Sequence, residues 1–414
     1  MKQAPFRVGK WLPSDQEALE KWLDNLVRDV NPATKLHPVI QEFKSLIENN
    51  ADIFMLFHLM FTQVPHKPPY DRNPGGGPQV RSYLVLLQLL NHILTTAPTF
   101  DKTVMVGCPI NAILDWSMGT KAGFAVFLNE KVNRQLKKML NTWAVFLGSE
   151  GSRYVLNADP KRGWFGTEAM EAMPEFEVDF ICDPLKPYHG FQSWDDFFTR
   201  RFRPGRRPVA SPNDAAIIVN ACESAPFRIA NSVERRDRFW IKAQPYSLED
   251  MLKGDVLVDR FVGGTIYQAF LSPLTYHRWH SPIDGRIVKT VNLDGTYYSE
   301  TYAERFDPSG PAESQAYITA LAARALIFIE ADNPSIGLVC FMGVGMSEVS
   351  SCEITVQAGQ HVKKGDQLGM FHYGGSTYCL LFGPQTNLEF DLHGQTPGLH
   401  SGNIRLNDVL ARVQ

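Results

Sequence analysis

The sequence predicts an α+β protein, with a helical region over residues 1–170 and a β-rich region over residues 171–414. Three observations carry this. Apolar residues recur at helical spacing through the first 150 positions, and after that they gather in short β-branched or aromatic runs bounded by Gly, Pro, Asn or Asp. The chain is also long enough, at 414 residues, for two folding units.

In order along the chain, Ser14-Asp15 can cap a helix carrying Leu19, Trp22, Leu23 and Leu26 on one face. Amphipathic runs follow over about 38–49, 52–62, 79–95 and 119–147. Segment 65–78, rich in Pro and Gly, excludes a helix interior and reads as a connection. No Lys-Ser/Thr follows Gly75–Gly77, so it is not a phosphate loop. One short helix is expected over 194–203. Strands are then expected at Ile217–Val219, Ala225–Ile229, Trp240-Ile241, Thr265–Leu271, Gly285–Val291, Leu326–Ile329, Gly337–Met342, Glu348–Val356 and Thr377–Phe382. Many short strands with turns between them suggest packed or strongly bent sheets.

Composition excludes several functions. The net charge is −3, which argues against nucleic acid or an anionic membrane as the main partner. No apolar run approaches the ~20 residues that span a bilayer, and the N-terminus lacks the apolar stretch of a signal peptide, so a cytoplasmic protein without stable membrane insertion is expected. The six cysteines form no CxxC pair and read as reduced thiols rather than a zinc site or disulfide framework. Arg200, Arg201, Arg203, Arg206 and Arg207 suggest phosphate binding at first sight, but an exposed helix end pairing with Asp195 and Asp196 accounts for them more simply.

Three separate stretches carry chemistry. Gly374-Gly375-Ser376-Thr377 precedes a strand, and two glycines before a serine admit the backbone conformations a strained, attackable peptide bond needs. By itself the tetrapeptide reads as a turn. Tyr276-His277-Arg278-Trp279-His280 places two histidines three apart, a spacing that suits acid–base work. A metal would require a third ligand such as His361 or His372, with no supporting HExxH helix, so none is expected. Ala221-Cys222-Glu223-Ser224 ends a strand with a carboxylate able to orient a histidine.

In this order the blocks resemble the phosphatidylserine decarboxylase family. Its Phe-Phe-x-Arg and Arg-Pro are matched by Phe197-Phe198-Thr199-Arg200 and Arg207-Pro208, and its Tyr-Ser-Leu by Tyr246-Ser247-Leu248. The specific Tyr-His-Arg-x-His-x-Pro-x-x-Gly block is matched from Tyr276 to Gly285, and Gly-Ser-Thr with Phe-x-Pro by Gly375-Ser376-Thr377 and Phe382-Gly383-Pro384. The likeness covers about 190–414. Scattered segments of the helical part, among them PVIQEFKSLIE, resemble the soluble fungal branch of the family, a member of which acts on L-tryptophan. Two departures stand out. Glu223 replaces the family's Asp, with Asp214 upstream as the alternative carboxylate, and Ala323-Arg324-Ala325 replaces the lipid enzymes' Asn-Glu-Arg.

The resemblance implies a self-processing enzyme. His280, oriented by Glu223, would deprotonate Ser376, which attacks the Gly375 carbonyl and severs the chain between residues 375 and 376. Ser376 would become a pyruvoyl group that binds a substrate amine as a Schiff base, and His277 would return a proton to the carbon that loses CO₂. A free aromatic amino acid, L-tryptophan above all, is the expected substrate, with phosphatidylserine as the alternative. Gly345, Met346 and Ser347, with Tyr297, Tyr298 and Tyr302, are candidates to line its slot. Two rival readings are weaker. A pyridoxal enzyme needs a lysine in a recognisable pocket, which is not evident, and Gln357–Gly369 resembles half of a lipoyl or biotinyl carrier hairpin without the lysine-bearing tip.

Overall fold

The structure is a computed structural model, and it describes residues 16–31, 33–64, 80, 82–100, 108–237, 246–272, 274–300, 314–348 and 352–414. The expected cap at Ser14-Asp15, segment 65–78, the Trp240-Ile241 strand and Tyr302 lie outside the described residues. The chain is mixed α+β. It divides into two units, one of Met1–Pro174, Pro184–Phe197 and Thr296–Ser314, the other of Glu175–Asp183, Phe198–Gly295 and Gln315–Gln414.

The first unit is helical. Its helices include α1 (Gln16–Asp29), α2 (Pro38–Glu48), α3 (Ala51–Thr62), α4 (Tyr83–Ile93), α5 (Pro109–Met118), α6 (Lys121–Leu128) and α7 (Glu130–Leu147). The expected 119–147 helix is two helices. Asn129 sits in an extended conformation between them, and its side chain accepts from the Lys131 and Val132 amides. That side-chain oxygen satisfies the free amides of a new helix start, which a continuous helix would not offer. On α7, Val132, Leu136, Met139, Leu140, Trp143 and Leu147 are buried, as the helical spacing demands. Tyr297 and Tyr298 also belong here, with Tyr297 N donating to Asn133 Oδ1 and Tyr298 packing edge-on to Phe127.

The second unit holds the strands: β1 (Ile217–Val219), β2 (Ala225–Asn231), β3 (Thr265–Leu271), β4 (Arg278–His280), β5 (Gly285–Leu293), β6 (Arg324–Ala331), β7 (Leu338–Met346), β8 (Cys352–Ile354), β9 (His361–Val362), β10 (Gln367–Phe371), β11 (Gly375–Phe382), β12 (Leu388–Phe390) and β13 (Val409–Val413). They form a seven-stranded sheet in the order β2-β3-β11-β7-β6-β5-β9 and two three-stranded sheets, β4-β10-β8 and β1-β13-β12. The pairings are antiparallel. Every residue of β11 is buried, which explains its unbroken apolar run from Tyr378 to Phe382. Each large apolar side chain there contributes about 1.5–3 kcal/mol by leaving water.

Two glycines let the small sheet carrying β4 pack closely. A Cβ on Gly369 would stand 2.6 Å from the Trp279 ring, and one on Gly343 would stand 3.1 Å from it. Trp279 fills that space between Phe341 (5.3 Å between ring centres) and Phe371 (4.8 Å). Phe341 in turn stacks on Tyr378 of β11 at 5.5 Å. A row of aromatic rings therefore ties β4, with its histidine, to the strand that begins at Gly375.

The helix expected over 194–203 ends at Phe198. Beyond it Phe202 forms an isolated bridge with Phe180 and the Ile181 amide bonds the Arg201 carbonyl, so the arginines leave the helix and enter an extended segment. The carrier-hairpin reading of 357–369 fails on Lys364. Its ammonium is buried and donates to the carbonyls of Ser211 (3.0 Å) and Asp214 (2.7 Å) instead of standing at an exposed tip.

Candidate active site

Ser376 is the second residue of β11, opposite Leu271 of β3 and Gly345 of β7. The Gly-Gly-Ser-Thr stretch is thus a strand entry, with the unusual backbone one residue earlier: Gly374 has φ 137°, which L side chains rarely adopt. Ser376 Oγ is fully buried and makes no hydrogen bond. A buried hydroxyl without a partner is costly, about 1–3 kcal/mol, and such a group commonly marks chemistry. From the opposite face, Thr377 Oγ1 donates to the Ala269 carbonyl and accepts from Gln268, which pins the peptide after Ser376.

Cross-strand register places the expected substrate-lining residues here. Gly345 pairs with Ser376 and Met346 with Gly375, while Ser347, at φ 55°, turns the chain out of β7.

His277 precedes β4 and is completely buried. Its ring lies flat on Phe198 at 3.9 Å, and Phe198 meets Tyr373, three residues before Ser376, edge-on at 5.5 Å. Neither ring nitrogen has a hydrogen-bond partner of normal geometry. Burial and the nearby Arg200 charge hold its pKa well below the ordinary histidine value, against a weaker pull from the Thr275 backbone. The ring is therefore neutral at pH 7.

His280 ends β4, its amide bonded to the Ala221 carbonyl. Its Nδ1–H donates to the Gly365 carbonyl at 2.6 Å, and its Nε2 lies 2.8 Å from the Tyr276 hydroxyl. A carbonyl only accepts, so the proton sits on Nδ1 and Nε2 carries the lone pair. Burial pulls the pKa down to about 4, with the Gly365 bond opposing it.

Glu223 is not joined to His280. Its carboxylate accepts from Arg207 Nε (3.1 Å) and Nη2 (2.8 Å) and from the Leu406 amide (2.6 Å). Arg207 also bridges to Asp179 at 3.0 Å, and Asn407 donates to the Arg207 carbonyl. Burial works to raise the Asp179 carboxyl, but hydrogen bonds from Arg207 and Arg206 prevail and hold it below the usual range. The alternative carboxylate, Asp214, pairs with Arg412. The element that does orient His280 is the Gly365 carbonyl, in the turn between β9 and β10, with Gly365 at φ 85°.

The arginine cluster also differs from expectation. Arg200 is buried, and its guanidinium donates to the carbonyls of Leu274 (2.6 Å) and Thr275 (2.9 Å), holding the chain just ahead of His277. Arg206 and Arg207 find Asp179 and Glu223 as their partners. Residue-level reading missed Tyr276, Gly365, Phe198 and the arginine anchors. The sequence signal for Tyr276, Phe198, Arg200 and Arg207 was membership in the ordered motif blocks, while Gly365 lies in the carrier-like stretch Gln357–Gly369 and Arg206 in no block. His361 pairs with Asp332 and His372 with Glu353. Among the described residues no group of three or more His, Cys, Asp or Glu is arranged to hold a metal.

With a buried, unbonded serine behind two glycines and two neutral histidines at β4, the chain is a decarboxylase that belongs to the phosphatidylserine decarboxylase family. Models of that family match residues 37–173 and 194–401, the second covering half of the chain, and the protein is accordingly a carboxy-lyase. Among its relatives are the decarboxylase iboD of Amanita muscaria, 45% identical over 74% of this chain and 91% of that one, and the L-tryptophan decarboxylase of Psilocybe cyanescens, 38% identical over 99% and 95%. Phosphatidylserine decarboxylase proenzyme 3 of Schizosaccharomyces pombe is 34% identical over 50% of this chain and 20% of that one.

Proposed function

We propose that this protein is a pyruvoyl-dependent decarboxylase of a free aromatic L-amino acid, L-tryptophan first, matured by cleavage of its own chain between Gly375 and Ser376. The observation that carries the reading is the buried Ser376 hydroxyl, free of any hydrogen bond and preceded by Gly374 in a glycine-favoured conformation. A group generated from Ser376 fits its surroundings, since the hydroxyl has no bond that conversion would sacrifice.

His280 is the base that removes the Ser376 proton. The freed oxygen attacks the Gly375 carbonyl carbon, an ester replaces the amide, and elimination parts residues 1–375 from residues 376–414. A pyruvoyl group at position 376 would supply the electron sink for decarboxylation. His277, neutral and with neither ring nitrogen in a hydrogen bond of normal geometry, is the candidate to handle the proton at the reacting carbon. Phe198, Tyr373 and Met346 are apolar neighbours of the His277 and Gly375-Ser376 positions, and Gly345, Met346 and Ser347 form the substrate edge. Support for an amino acid comes from the tryptophan decarboxylase, which matches almost the whole chain, whereas the lipid proenzyme matches half. Among the described residues no helix is long and apolar enough to cross a membrane. A cytoplasmic enzyme acting on a small molecule agrees with this.

Intact mass tests the maturation: two chains, with Ser376→Ala leaving one. Amine release from free tryptophan, phenylalanine and tyrosine, beside phosphatidylserine vesicles, tests the substrate. Turnover of the lipid alone would overturn the amino-acid reading and leave self-cleavage intact.

A further inference from the structure

The active-site geometry contains an obstacle to its own first step. His280 Nε2 has a single lone pair, and the Tyr276 hydroxyl donates to it at 2.8 Å while Nδ1–H is committed to the Gly365 carbonyl at 2.6 Å. Ser376 Oγ meanwhile bonds to nothing. The nitrogen that must receive the serine proton is therefore occupied, and the serine is not yet engaged. Building on the self-cleavage reading, we infer that Tyr276 gates maturation, because its phenol caps the only basic nitrogen of His280 and has to leave before Ser376 can be deprotonated.

The cap is built into the fold. Tyr276 is 3% exposed, its ring packed on Phe202 at 4.4 Å between centres. Phe202 is covered on its face by the Arg207 guanidinium at 4.3 Å, the same guanidinium that grips Asp179 and Glu223. Burial raises the phenol pKa, so the hydroxyl keeps its proton and remains a donor. Tyr276 takes no part in the bond changes. Once it withdraws, Nε2 takes the Ser376 proton and Oγ bonds to the Gly375 carbonyl carbon. The carbon–nitrogen bond then breaks, and His280 returns its proton to the departing amine of residue 376. No oxidant or further reactant enters this step.

Cell-free synthesis followed by timed denaturing gels reads the cleavage rate from the moment the chain is made. Tyr276→Phe keeps the ring and removes the cap. It should cleave roughly two- to tenfold faster than the unaltered chain, the span set by the net worth of one hydrogen bond. Placing 3-fluorotyrosine at position 276 keeps the shape and strengthens the donor, so cleavage should slow. This second variant carries the test should Tyr276→Phe prove insoluble. An unchanged or slower rate for Tyr276→Phe, or an unchanged or faster rate for the fluorinated chain, overturns the gate. Absence of cleavage at 375–376 in the unaltered chain would remove the self-cleavage reading itself, and the gate with it.

Discussion

Replacing Glu223 by Gln separates two roles for this carboxylate. If it oriented His280, as the motif order suggests, its loss would cut cleavage by up to ~10⁴, the size seen when a catalytic triad loses its carboxylate. The geometry argues otherwise: both Glu223 oxygens are taken by Arg207 and the Leu406 amide, and the His280 ring is held by Gly365. The two side chains of the Arg207–Glu223 pair are only 11% and 12% exposed. Removing one partner of a buried pair costs about 3–5 kcal/mol when the other charge is stranded. Arg207 keeps Asp179, and glutamine still offers an oxygen to Leu406, so the loss should be smaller, about 2 kcal/mol. For a unit of this size that is a fall of about 4–8 °C in Tm. The expected result is cleavage within about threefold of the unaltered rate, together with the lowered Tm. Timed gels and thermal unfolding of the Ser376→Ala background measure the two independently. A hundredfold slower cleavage with an unmoved Tm would refute the argument and restore the orienting role.

Three other outcomes follow from the same site. His277→Ala should still self-cleave, since His277 makes no bond to Ser376, yet lose about 10²–10⁴ in amine formation, which gels and a CO₂ assay distinguish. Cleavage should be nearly flat from pH 8 to 5 and fall as the pH drops through about 4, because only neutral His280 accepts a proton. That folded value lies below the ordinary 6.5, so the unfolded chain takes up the proton first. Stability from this residue is therefore complete above about pH 6.5 and lost as the pH falls toward about 4, which unfolding titrations of the Ser376→Ala chain would show. Lys364→Met strands the Ser211 and Asp214 carbonyls and should cost about 2 kcal/mol, with cleavage chemistry unaffected once the chain is folded.

Much of the architecture was legible in the residues. Periodicity located α2 and α3, and β-branched runs between turn residues located β1 and β3 to the residue, because a buried strand or helix face must write its period into the chain. The ordered motifs also marked Ser376, His277 and His280 as the candidates for chemistry, since a reactive group needs a particular residue type. What the chain order cannot express is which polar atoms meet after folding. Glu223 and His280 belong to neighbouring segments joined through the Ala221 carbonyl, and a carboxylate near a histidine suggests a triad. Folding instead brings Arg207, 16 residues earlier, and Leu406, 183 residues later, onto the carboxylate, and Gly365 onto the ring. A guanidinium outcompetes a neutral imidazole for a buried carboxylate because charge and two parallel hydrogen bonds act together. Likewise Gly-Gly-Ser-Thr reads locally as a turn, and only pairing with β3 and β7 on both sides turns Gly375-Ser376 into the start of a central strand. The residue types decided which chemistry was available, and the long-range hydrogen bonds, formed only where the sheets pack, decided which polar groups meet.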